Sequence, residues 1–97
     1  MSTMQRARTQ AGMLTPAQLR AARALLGWSR DTLAGKSCTA VETLQGFESR
    51  GSDPKLSTLN KWYRALEGAG VEFIDDDAER GPGVRLRHSG KPASKRK

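Results

Sequence analysis

A chain of 97 residues with 36% apolar content can build one small core and not two. Its net charge of +7 points to a polyanion as partner, and no apolar run approaches the roughly 18 residues of a membrane helix. The single cysteine, Cys38, excludes an internal disulfide and a cysteine-built zinc site, and suits a reducing cytoplasm.

The charge is unevenly placed. Residues 1–13 carry +2, residues 14–70 carry +3 (eight Lys or Arg against five Asp or Glu), residues 71–80 carry −4 and residues 81–97 carry +6. The central segment is therefore only mildly basic. Residues 1–13 have no apolar period and no signal-peptide core, and read as a disordered N-terminal segment.

Order begins at Thr15-Pro16-Ala17-Gln18, which combines an N-cap threonine, a proline at the first helical position and a glutamine three residues after the cap. Leu19, Ala22, Leu25 and Leu26 then make one apolar face, and Gly27 ends the helix. Ser29 can cap a second helix over 30–36, with Asp31 in its first turn complementing the dipole. Residues 35–38 break that pattern. Thr39-Ala40-Val41-Glu42 then fits a capping box for a third helix over 40–49, with Leu44 and Phe47 turned inward.

Two short helices so briefly joined cannot lie antiparallel and must cross steeply. That is the geometry of a helix-turn-helix, whose second helix is presented to the DNA major groove. Residues 50–54 form a loop. A fourth helix starts near Leu56, buries Leu59, Trp62 and Leu66 at helical spacing and stops around 68–70. The period then changes to two. Residues 71–74 and 84–87 read as strands of a hairpin (71–88), and residues 89–97 as a basic disordered tail.

The stretches TPAQLRAARALLGWSRDTLA, ETLQGFE and TLNKWYRALEGAG, closed by VEFI…GPGVRLR, resemble the XRE/Cro-repressor-like helix-turn-helix family, in particular small bacterial members with a C-terminal β-hairpin. The resemblance covers about residues 14–87 and implies a mainly α fold: four helices, a short hairpin, and a regulator that binds double-stranded DNA. It also implies base-reading positions at Thr39, Val41, Glu42, Gln45 and Gly46. Arg30 corresponds to a family position that contacts phosphate or a base edge, and Ser29, Lys36, Arg50, Ser52 and Lys55 are placed around the same surface as candidate phosphate ligands. Cys38 stands where the family has glycine, and Ala40 where it has Ser or Thr.

Chemistry gives each candidate two readings. Gln45 can read adenine and Val41 can touch a thymine methyl; Glu42 can accept from a cytosine amino group or simply complete the Thr39 capping box. Gly46 permits a close approach or is merely tolerated, at roughly 1 kcal/mol against alanine. The basic residues are phosphate ligands or solvated charges. Cys38 fills a turn and is strained if its φ is positive; Asp75, Asp76 and Asp77 lack the spacing of a calcium loop. Trp28, Leu33, Leu44, Phe47, Leu59, Trp62 and Leu66 are assigned to the core, with Tyr63 at its rim.

The expectation is a cytoplasmic, nucleoid-associated transcriptional regulator with no cofactor, no metal and no enzymatic activity. It is expected to act as a homodimer joined through the hairpin at Val71, Phe73, Val84, Arg85 and Leu86. The alternative is a helix-turn-helix module turned to protein binding, as an antagonist of another regulator or an antitoxin.

Overall fold

The computed structural model describes residues 14–87; the N-terminal segment 1–13 and residues 88–97, with His88 and the basic tail, lie outside the described residues. Four helices are followed by a hairpin: α1 (Pro16–Leu26), α2 (Arg30–Ser37), α3 (Val41–Arg50), α4 (Leu56–Gly68), β1 (Val71–Ile74) and β2 (Gly83–Leu86). The chain is mainly helical, as its periodicity predicts.

The N-terminal box of α1 forms in full. Thr15 Oγ1 accepts from the Gln18 N–H, and Gln18 Oε1 accepts from the Thr15 N–H, both at 3.0 Å. Leu14 and Leu19, the two positions of a hydrophobic staple, are both buried in the core. Gln18 has a second role. Its Nε2 donates to the carbonyls of Ile74 (3.3 Å) and Gly83 (3.0 Å), bolting the start of α1 to the far end of the hairpin.

At the other end of α1, Gly27 takes the left-handed conformation (φ 70°) that stops the helix. The expected apolar face is only partly realised: Leu19 and Ala22 are buried and Leu26 packs against them, but Leu25 is 42% exposed. The core gathers Leu33, Leu44, Phe47, Leu59, Trp62, Leu66 and Val71, with the Phe47 and Trp62 rings 5.4 Å apart. Trp28 and Tyr63 are half-buried at its edge, and Tyr63 lies against Phe73 with ring centroids 5.2 Å apart.

The hairpin register pairs Val71 with Leu86, Glu72 with Arg85, Phe73 with Val84 and Ile74 with Gly83. The Arg87 N–H donates to the Gly70 carbonyl at 2.8 Å, so that pair is hydrogen-bonded. Antiparallel alternation then makes Glu72–Arg85 and Ile74–Gly83 the bonded pairs inside the ladder. The Arg85 N–H therefore points at β1 and not at a neighbouring chain. Val84 and Leu86 are the β2 residues whose main chain turns outward, and no bond from outside the hairpin reaches either one among the described residues. The side chains of Val71, Phe73, Val84 and Leu86 share the face against the helices, while Glu72 and Arg85 pair on the other face at 2.9 Å.

Candidate nucleic-acid interface

The α2–α3 unit is built on a strained turn. Ser29 caps α2, accepting from the Thr32 N–H, and Asp31 lies in the first turn. The helix ends at Cys38, which adopts φ 59° and ψ 47°, a left-handed conformation that glycine takes without cost. The Cys38 and Thr39 N–H groups close the cap on the carbonyls of Gly35 and Ala34. Cys38 is exposed, and its φ is positive, the condition under which this turn is strained.

The predicted Thr39 capping box does not form. Ala40 is the N-cap of α3 and offers no side-chain acceptor. The Thr39 hydroxyl is turned inward instead, accepting from Trp62 Nε1 at 2.9 Å and lying 2.9 Å from Ser37 Oγ. Since Ser37 donates to the Leu33 carbonyl at 2.7 Å, Thr39 is left to donate to Ser37. A buried indole N–H needs an acceptor more than an exposed helix end needs a cap, because water can serve the latter. Glu42 is thereby released from the box and stands exposed in the first turn.

Helix α3 is pinned by a residue that composition and motif left unmarked. Glu48, whose side chain is fully buried, receives Arg23 Nε on Oε2 (2.8 Å) and Arg23 Nη2 on Oε1 (2.7 Å), a bidentate pair. Arg30 Nε adds a third bond to Oε1 at 3.0 Å, and Arg20 donates to the Glu48 carbonyl. Arg23 also donates to the Trp28 carbonyl at 3.0 Å. One carboxylate of α3 thus ties down both α1 and α2.

This network changes the reading of Arg30. Its side chain is partly exposed and held through Nε, and neither terminal nitrogen has a hydrogen-bond partner among the described residues. Lys36 is exposed, with Nζ 5.3 Å from the centroid of the Trp28 ring, a cation–π distance. Ser52 and Lys55 lie exposed in the loop after α3, and the Ser52 N–H caps the Gly46 carbonyl at 3.3 Å.

Of the five positions matched to base reading, Glu42 and Gln45 lie exposed on the outer side of α3, together with Thr43, Ser49 and Arg50. Val41 is half-buried against the core, and Thr39 is committed to Trp62. Gly46 is buried, but not by the body of the protein. A Cβ built there would meet Arg50 Nη2 at 3.0 Å and Ser52 Oγ at 3.1 Å. Among the described residues Glu42, Gln45 and Arg50 have no hydrogen-bonding or ionic side-chain partner.

Residues 14–87 hold eleven Lys or Arg against ten Asp or Glu, so the described part carries only +1 of the chain's +7. No group of three His, Cys, Asp or Glu among the described residues is arranged to hold a metal, and no described helix is long and apolar enough to cross a membrane. No family model and no curated protein matches the chain.

Proposed function

We propose that this chain is a sequence-specific DNA-binding transcriptional regulator, with α3 entering the major groove. The observation that carries the reading is the contrast between the two sides of α3. Leu44, Phe47 and Glu48 fasten one side to the body, while Glu42, Gln45, Ser49 and Arg50 stand exposed on the other. A reading helix needs both: rigid seating, and polar groups with unfilled hydrogen-bonding capacity for base edges. Arg30 and Lys55, at the starts of α2 and α4, would serve as phosphate ligands, together with Ser29, Lys36 and Ser52.

The regulator would act as a homodimer. Val84 and Leu86 present an unpaired strand edge, and a second copy joined there would extend two strands to four across a two-fold axis. Such an axis is what places two recognition helices about 34 Å apart, one turn of DNA. Cytoplasmic location and association with the nucleoid follow from this reading.

The near-neutral charge of residues 14–87 favours a second reading, in which the outer face of α3 binds another protein. Selection of bound duplexes from a random pool by the full chain, followed by footprinting at two salt concentrations, separates the two. A palindromic site that survives the higher salt supports the regulator. Binding that is uniform across sequences and vanishes with salt overturns it.

A further inference from the structure

At 3.6 residues per turn Gly46 sits roughly 160° around the axis from both Leu44 and Glu48, on the outward side of α3. It is nonetheless buried, because Arg50 and Ser52 lie over it. Helical side chains lean toward the N-terminus, so the Arg50 stem runs back one turn and sets its guanidinium above the residue four positions earlier. The Nη2 and Cζ atoms fall 3.0 and 3.8 Å from where a Cβ of residue 46 would be. The missing Cβ lets the guanidinium lie close against the helix and over the middle of the face, not at its rim.

We propose that Arg50 is a guanine-reading group and that Gly46 is its positioning residue. The inference rests on the DNA-binding reading above and deepens it. An arginine fork matches the O6 and N7 acceptors of guanine in the major groove, a bidentate match that lysine cannot make. The guanidinium has no hydrogen-bond or ion-pair partner among the described residues, so its donors are unfilled. Its place over the centre of α3 suits a base edge, whereas Arg30 and Lys55 stand on other elements, at the starts of α2 and α4.

The glycine carries a cost that this role accounts for. A mid-helix glycine is worse than alanine by roughly 1 kcal/mol, and Gly46 has no left-handed φ to require it. An alanine methyl would force the guanidinium to move, since a 3.0 Å approach is closer than a methyl group accepts.

The test uses the full chain and the duplex it selects from a random pool, with each G·C pair exchanged in turn. Arg50→Ala and Arg50→Lys are expected to lose about tenfold or more of the discrimination at one G·C pair per half-site and to leave the other pairs unaffected. Replacing that guanine with 7-deazaguanine should weaken the parent chain and not Arg50→Ala. Gly46→Ala should melt higher than the parent yet lose several-fold of discrimination at the same pair, and lose nothing further in the Arg50→Ala background.

Equal loss on every duplex with a salt slope shallower by about one makes Arg50 a phosphate ligand and overturns the inference. So does Gly46→Ala with raised stability and unchanged selectivity, which would make the glycine merely tolerated. If the parent selects no site at all, the DNA-reading proposal itself falls, and this inference with it.

Discussion

The α2–α3 unit and the β1–β2 hairpin are of similar size but are held by opposite means. In the helical unit the decisive bonds are polar and end on or come from buried side chains: Arg23 and Arg30 on Glu48, and Trp62 and Ser37 on Thr39. In the hairpin Val71, Phe73, Val84 and Leu86 pack inward, and the Glu72–Arg85 ion pair across the strands lies in solvent. Its deepest polar contact, Gln18, is supplied from α1. Apolar packing is forgiving of register and small shifts, whereas a buried bidentate pair defines one geometry. The more exacting means is used where a helix must be aimed.

Removing the carboxylate should expose that difference most. Glu48→Ala leaves Arg23 facing a vacancy, and loss of one partner of a buried pair costs about 3–5 kcal/mol. Urea unfolding of the variant should show a loss of that order, a large fraction of the roughly 5–15 kcal/mol that holds a domain folded. A loss below about 1 kcal/mol would mean that the apolar side of α3 alone seats the helix.

Thr39→Val comes next. It keeps the shape and removes the acceptor of a fully buried indole N–H, an orphaning that costs about 1–3 kcal/mol. Thermal unfolding followed by tryptophan fluorescence measures it. A neutral outcome would show that water or Ser37 takes the acceptor's place.

These two residues also mark where the sequence stops being legible. Helix starts and stops with local causes were readable: Thr15 with Gln18, Ser29, Gly27, and the Leu59–Trp62–Leu66 stripe all stand where their signals placed them. What could not be read depends on partners far along the chain. Glu48 looks like any surface acid until Arg23, 25 residues away, folds onto it. The Thr39–Glu42 box satisfies every local rule and loses to Trp62, 23 residues on. The direction of the Arg85 N–H hangs on which pair of the ladder is bonded first, a phase set by Arg87 and Gly70. Leu25 follows the period of α1 but sits at the edge of its buried face, about 100° round the axis from Leu26 and about 120° from Leu19, and is only partly covered. In the candidate interface, the spacing of Gly46 and Arg50 was visible, but not that one lies over the other.

The turn between α2 and α3 offers a gain in place of a loss. Cys38 holds a left-handed φ of 59° in a position where a Cβ is costly, so Cys38→Gly should stabilise by about 1 kcal/mol. For a domain this small that is a rise of roughly 4–8 °C in Tm. No rise would mean that the flexibility glycine adds to the unfolded chain offsets the relief of strain.

The smallest effect belongs to the hairpin's ion pair. The hydrogen bond from Arg85 holds the Glu72 carboxyl below its ordinary value of 4.5, helped by the charges of Arg85 and Arg87 and opposed by slight burial. A carboxyl whose folded pKa is lowered stabilises the fold above its unfolded pKa, and that contribution is lost as pH falls through the folded value. Glu72→Gln should therefore match the parent below the folded pKa, and fall slightly short of it from about pH 5 upward. The shortfall should be small, because both partners are largely exposed and solvent screens them. Asp77 shifts in the same direction, through the Glu79 and Arg80 N–H groups, but it is present in both proteins and cancels in the difference. A deficit at neutral pH as large as that of Thr39→Val would break the comparison, since the hairpin would then depend on its outer face as the helical unit depends on its buried one.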